Sequence, residues 1–149
     1  MASDLAQERF ELPIQILPAD IDMMGHVNNV VYVRWVQDAA TAHWEAAATP
    51  EQQEAVAWVV VRHEIDYKSS ARLGDEIIAR TWVGAARRNL FERYTEIVRK
   101  GDLKVLCRAL SLWCPIDLRT GRVTRVGPDI RNRFSVPETI EPRDPGQVA

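Results

Sequence analysis

One stretch of this 149-residue chain is long and regular enough to form a substantial helix, and the segments after it alternate with a period of two. From about Asn29 to Ala48, the residues Tyr32, Trp35, Val36, Ala39, Ala40, His43 and Ala47 recur at steps of three and four. Arg34, Gln37, Asp38, Thr41 and Glu45 fall on the opposite side. Alanine dominates the second half of the run, which lets a sheet approach closely. Asn28 or Asn29 supplies the N-cap. Thr49-Pro50-Glu51-Gln52 then reads as a capping box with proline at the first helical position, predicting a short helix to about Ala55.

Strand patterns surround this helix. Leu12–Leu17 predicts a first strand that stops at Pro18. Ala57–Ser69 places Val59, Val61, His63, Ile65 and Tyr67 on one face, and Glu76–Ala85 alternates through Ile77, Ala79, Thr81 and Val83. A break at Ala86–Asn89 precedes a strand over Leu90–Arg99. Lys100-Gly101-Asp102 predicts a tight type II′ or I′ hairpin turn. Leu103–Cys114 is the last long strand, ended by Pro115, and a short helix is expected from Gly127-Pro128-Asp129 to Phe134. Successive hairpins make the sheet mostly antiparallel. A lone long helix must bury its stripe on that sheet, so the class is α+β with five strands. Leu110, Leu112 and Cys114 alternate with Ala109, Ser111 and Trp113, so the last strand is apolar on both faces toward its end. One face takes the helix; the other is expected to be covered by a second copy of the chain.

The bulk properties narrow the function. The length suits a single domain over 1–149, with a core at about 10–135 and frayed first residues and tail, Glu138–Ala149. A net charge of −2 argues against a broad nucleic-acid footprint. No run of 18 apolar residues suggests a membrane span. The start of the chain lacks a signal-peptide layout, so a cytoplasmic location is expected. Cys107 and Cys114 are seven residues apart in one strand and so face opposite ways, which argues against pairing. Both lie in an apolar strand, where a thiol is inert. Neither zinc-ligand spacings nor a glycine-rich phosphate loop occurs, so no metal and no separate cofactor is expected.

The chemistry concentrates in Asp20-Ile21-Asp22-Met23-Met24-Gly25-His26-Val27-Asn28-Asn29, directly before the long helix. A helix start collects unpaired N–H groups and favours negative charge. A carboxylate placed there can attack, or activate water against, a carbonyl that those N–H groups polarise. The plainer alternative for Asp22 is an acceptor for loop N–H groups. Gly25 suits a positive φ or a close substrate approach. His26 either orients the loop or takes part in acid–base work. Asn28 caps the helix, and the Asn29 N–H is the candidate oxyanion donor. Tyr32, one turn in, is a candidate pocket residue, whereas Trp35 and Val36 read as core. His43 and His63 read as satisfied buried histidines.

Together these features resemble the hotdog fold, in which a sheet wraps a long central helix. The chain is similar to the acyl-CoA thioesterases of the 4-hydroxybenzoyl-CoA thioesterase-like branch. The resemblance rests on Asp20, Asp22, Gly25, His26, Val27, Asn28, Asn29 and Tyr32, with Trp35 a turn later, and covers roughly residues 10 to 135. Plant acyl-carrier-protein thioesterases share the His-Val-Asn-Asn element. Ile65-Asp66-Tyr67 and Leu73-Gly74-Asp75-Glu76-Ile77 also look like the family's second and third strands.

The resemblance implies thioester hydrolysis with Asp22, His26 and Asn29 in catalytic roles and Gly25, Asn28 and Tyr32 near the substrate. It also implies that Arg87 and Arg88, at a strand bend, contact CoA phosphates across a subunit interface. CoA, or an acyl carrier protein, would belong to the substrate, and a homodimer or homotetramer is expected. Two other readings are an enoyl-thioester hydratase and a non-catalytic acyl-thioester-binding module. The Gly-Asp-x-Asn-Pro-x-His pattern of hotdog hydratases is absent.

Overall fold

The computed structural model describes residues 8–134 and 136, so the expected fraying of the first residues and of Glu138–Ala149 lies outside them. The elements in order are β1 (Phe10–Ile14), a 3-10 turn (Pro18–Asp20), α1 (Asn29–Ala47), α2 (Pro50–Ala55), β2 (Val56–Tyr67), β3 (Ile77–Arg87), β4 (Leu90–Arg99), β5 (Lys104–Asp117), β6 (Arg122–Val123) and α3 (Pro128–Arg133). The sheet order is β1-β3-β4-β5-β2, with β6 paired to β5. Every pairing is antiparallel. The sheet curls around α1 as expected, with the two-residue β6 as an addition to the five expected strands. Successive hairpins, however, join only β3, β4 and β5: β2 lies at the edge beside β5 and not next to β3, because the connection after Tyr67 crosses to the other side of the sheet.

Local chemistry sets the helix boundaries. Asn28 is the cap of α1: its side-chain oxygen accepts the Val30 N–H at 3.1 Å. The capping box of α2 closes as predicted, with Gln52 N–H donating to Thr49 Oγ1 at 3.1 Å and Thr49 N–H to Gln52 Oε1 at 2.9 Å. Gln52 Nε2 also donates to Asp129 Oδ2 at 2.8 Å, tying α2 to α3.

Four details differ from the sequence expectation. β1 lies at Phe10–Ile14, because the chain after it turns to let Leu17 N–H donate to Asp20 Oδ2 at 2.9 Å. The pairing of β2 with β5 shifts between Val60 and Arg62, and this bulge breaks the face shared by Val59, Val61 and His63. Val59 and Val61 are exposed, while Ile65 packs toward the core. The Lys100-Gly101-Asp102 turn is not a two-residue II′ or I′ turn, which would need φ > 0 at Gly101. Instead Leu103 takes the positive φ, 58°, and Asp102 Oδ1 accepts the Lys104 N–H. Finally, β5 continues through Pro115 to Asp117. Its last pair with β4 is Trp113 to Phe91, so the missing proline N–H falls on the vacated side, where the Pro115 carbonyl accepts the Thr124 N–H.

The main core joins Val31, Tyr32, Trp35 and Ala39 of α1 to Ile77, Ala79, Ile97, Leu106 and Cys107 of the sheet. Cys107 thus faces the helix, and burial, with Asp66 nearby, pushes its thiol up to about 12, a protonated and unreactive state at neutral pH. Both cysteines are buried and unpaired. The outer face is less apolar than expected. Leu110 and Leu112 share it with Arg62, Glu64 and Glu92 around a shallow groove, and Glu96 pairs with both Arg80 and Arg108. Among the described residues, no helix is long and apolar enough to cross a membrane.

Tyr32 shows how the core supports the loop before α1. Its ring is 2% exposed, and its hydroxyl accepts the Ala71 N–H at 2.9 Å. The Val27 N–H, within the motif, donates to the Ala71 carbonyl. Tyr32→Phe leaves a buried N–H without an acceptor and is expected to cost about 1–3 kcal/mol in urea denaturation. A loss indistinguishable from zero would show that Ala71 finds another partner.

Candidate active site

The loop from Ile21 to Val27 is a closed structure. Ile21 and Val27 form an antiparallel bridge, and Asp22 N–H donates to the His26 carbonyl at 2.8 Å. Asp22 Oδ1 accepts the Met24 N–H at 2.9 Å and the His26 N–H at 3.2 Å. Gly25 sits at φ +78°, a conformation that side-chain-bearing residues rarely adopt. The result is an exposed carboxylate held by its own loop immediately before a helix start. The loop-building reading of Asp22 is met by this geometry, and its second oxygen has no hydrogen-bond partner among the described residues.

Asp20 is different. It is 4% exposed, and it accepts the Leu17 N–H on one oxygen and Arg34 NH2, at 2.9 Å, on the other. Burial opposes its ionisation, but the Leu17 N–H and the Arg34 guanidinium outweigh that and hold it below the usual carboxylate range. Its backbone carbonyl also accepts the Asn28 N–H. Asp20 anchors the loop.

His26 lies within the loop of the carboxylate, and Asn29 is the first residue of the helix that follows it. Arg72 NH2 donates to His26 Nε2 at 3.3 Å, which leaves the ring proton of a neutral His26 on Nδ1. Asn28 takes the Val30 N–H with its side chain and the Val31 N–H with its carbonyl. The Asn29 N–H, at the first helical position, is the donor that this cap does not use. The Asn29 carbonyl accepts the Tyr67 hydroxyl at 3.2 Å. Tyr32 lies beneath, in the core, edge-on to Trp35 and Tyr67 at centroid distances of 5.1 and 5.6 Å.

Asp22, Gly25 and His26 thus share one closed loop, and Asn28 and Asn29 start the helix that follows it. Arg87 and Arg88 do not join them within one chain. The Asp22 loop follows β1, whose end pairs with Ile77, the first residue of β3. Arg87 closes that strand and Arg88, at φ 55°, starts the turn to β4. The length of β3 therefore separates them, roughly 30 Å at the strand rise per residue. Sequence reasoning missed Arg72, Tyr67 and Arg34 as partners of the loop. The turn at Leu73-Gly74-Asp75 marks where the chain returns to the sheet, and Arg72 immediately before it was the available signal.

A second buried polar group occupies the far half of α1. Arg93 NH1 donates to His43 Nδ1 at 3.0 Å and to Thr81 Oγ1 at 3.1 Å. Because a guanidinium only donates, the ring proton sits on His43 Nε2, 3.4 Å from Glu8 Oε1. Burial, reinforced by the Arg93 charge and only partly opposed by Glu8, pushes His43 down from 6.5 to about 4. His63 is also lowered by burial; its Nδ1 lies 2.7 Å from Ser111 Oγ, while its Nε2 is buried without a hydrogen-bond partner among the described residues.

The His43 shift has a consequence for stability. The unfolded chain takes up a proton near pH 6.5, whereas folded His43 refuses it until about 4, so stability falls as pH falls through that window. The loss is at most ~3 kcal/mol at ~1.4 kcal/mol per pKa unit. His43→Gln, which keeps an acceptor for Arg93, is expected to flatten the slope of unfolding free energy between pH 6.5 and 4.5. An unchanged slope would contradict the assignment.

Comparison with known proteins places these features. The sequence profile of the thioesterase-like superfamily matches residues 16–134. A chloroplastic palmitoyl-acyl carrier protein thioesterase from Gossypium hirsutum is 27% identical over 108 residues, covering 66% of this chain and 26% of that protein. The chain therefore corresponds to about a quarter of that relative. Among solved structures, a 1,4-dihydroxy-2-naphthoyl-CoA thioesterase from Synechocystis has a TM-score of 0.73 at 19% identity, covering 85% of this chain and 96% of that one. A thioesterase complexed with coenzyme A and Zn from Thermus thermophilus has a TM-score of 0.70 at 22% identity, covering 83% and 90%. At these identities the two structures show the shared fold.

Proposed function

This chain belongs to the thioesterase-like superfamily, and from that premise we propose that it cleaves acyl-CoA to a free acid and CoA using Asp22. The observation that carries this reading is the exposed Asp22 carboxylate, held by the Met24 and His26 N–H groups immediately before α1. The Asn29 N–H polarises the thioester carbonyl, a contact worth ~3 kcal/mol in the transition state by analogy with measured oxyanion donors.

Two routes balance. In one, an Asp22 oxygen bonds to the carbonyl carbon, the C–S bond breaks, the thiolate leaves and takes up a proton, and water then hydrolyses the mixed anhydride. In the other, Asp22 accepts a proton from water as its oxygen attacks, and that proton passes to the departing sulfur. His26, oriented by Arg72, and the positive φ of Gly25 keep the loop in shape for either route. Single-turnover hydrolysis in isotopically labelled water separates them, because only the anhydride route first places solvent oxygen in the enzyme carboxylate. No cofactor is assigned beyond the CoA of the substrate.

The working unit in this reading is a homodimer, the simplest of the homo-oligomers. Support comes from β2, an edge strand with exposed Val59 and Val61, and from the exposed Met23, Met24 and Val30 beside the loop. A second subunit would also bring its Arg87 and Arg88 within reach of CoA phosphates at the first subunit's loop. A cytoplasmic, reducing setting is in keeping with the two buried, unpaired thiols. Acyl-CoA substrates varied in chain length and aromaticity, assayed by free-thiol release, test the activity. Water addition to an enoyl-CoA without thiol release would replace it by hydration. Light scattering that shows a stable monomer would contradict the dimer.

A further inference from the structure

A cavity of about 370 Å³ opens beside the C-terminal half of α1, at the other end of the helix from the Asp22 loop. Trp44 on its wall is fifteen residues beyond Asn29, roughly 22 Å along the axis. Its size is within the range of small-molecule sites. Five aromatic rings line it: Trp44, Trp58, Phe91, Trp113 and Phe134. They brace one another, with Trp44 stacked on Phe134 and edge-on to Trp58, and Trp58 edge-on to Phe91.

The polar groups in this wall are mostly donors. Arg93 lines the cavity, is 8% exposed, and has no carboxylate within ion-pair distance among the described residues. Its two bonds go to neutral acceptors, His43 and Thr81. The indole N–H groups of Trp58 and Trp113 are buried without hydrogen-bond partners among the described residues. The wall has two carboxylates: Glu92, which accepts the Ala85 N–H, and Glu45, on the exposed side of α1. A buried cation and orphaned donors inside an aromatic box call for an anionic oxygen carried on a flat apolar body.

We propose that this cavity binds a small aryl carboxylic acid, with the carboxylate on Arg93 and the ring among Trp44, Trp58 and Phe134. Within one chain the site lies at the opposite end of α1 from the Asp22 loop, and its occupancy requires no thioester chemistry.

Hydrocinnamate and its uncharged counterpart, hydrocinnamyl alcohol, test this at pH 7 through the protein's own tryptophan fluorescence, since three indoles line the cavity. Hydrocinnamate is expected to give a saturable change. The alcohol, and Arg93→Gln with the acid, are expected to bind about tenfold more weakly or worse. Thr41→Phe fills the mouth from an exposed helix position and is expected to abolish binding. If Arg93→Gln fails to fold, the acid–alcohol pair and Thr41→Phe decide the question. Equal affinity for acid and alcohol, no saturable change, or unaltered binding by Thr41→Phe would overturn the proposal. Asp22→Asn is expected to bind the acid as the wild type does, and a changed affinity there, tighter through relief of carboxylate repulsion or weaker, would place the ligand at the other site and overturn the proposal.

Discussion

Asp22→Asn is expected to lower kcat for thioester hydrolysis by ~10²–10⁴, the usual range for losing a positioned acid–base group, with KM changed by no more than a few-fold. Asparagine keeps the bonds that shape the loop. Asp22 Oδ1 accepts the Met24 and His26 N–H groups, and an asparagine oxygen can accept both. The loop should therefore hold, with the Ile21–Val27 bridge and the positive φ of Gly25 intact. What disappears is the negative charge, and with it both the nucleophile and the base. If Asp22 were only a loop acceptor, asparagine would be nearly silent. Activity within tenfold of wild type would sink the catalytic role while leaving the loop-building role standing.

The largest expected effect on stability is that of Trp35→Ala, at ~3–5 kcal/mol. Trp35 is 1% exposed and packs among Val31, Ile77, Ala79 and Ile97 at the centre of the helix–sheet interface. It also closes an aromatic ladder that runs from Tyr67 through Tyr32. Truncation removes the apolar contacts and leaves a cavity that a helix pinned between its Asn28 cap and the α2 capping box cannot collapse. A typical domain is stable by only about 5–15 kcal/mol, so the variant loses a large part of its margin. Urea unfolding should show a lower midpoint with an unchanged slope. A loss below about 1 kcal/mol would mean that the core is repacked or that Trp35 is not central to it.

The helix, the succession of strands and the loop before α1 were legible because each has a local signature, whereas the place of β2 beside β5 instead of β3 was not. Residues such as Tyr32, Trp35 and Ala39 repeat at helical spacing, and Asn28 and Thr49 carry side chains whose capping bonds reach only two or three positions along the chain. What escaped depends on partners far away in sequence. The bulge at Val61 reverses a face with no change in composition, so a strict period of two groups Val59 and Val61 with His63 and Ile65. Arg72 meets His26 across 46 positions. Asp20 and Asp22 look alike as letters, yet one is buried against Arg34 and the other exposed, a difference set by the 3-10 turn at Pro18–Asp20. The aromatic cavity draws on α1, α2, α3 and four strands, so no single segment announces it.

Thiol release measured side by side for the wild type and Asp22→Ala, at equal concentrations of folded protein, tests the catalytic role of Asp22 most directly, with free acid quantified in the same samples. The wild type should release thiol and acid in equal amounts from at least one acyl-CoA, and Asp22→Ala should release neither above background. Thiol release undiminished in Asp22→Ala would contradict that role.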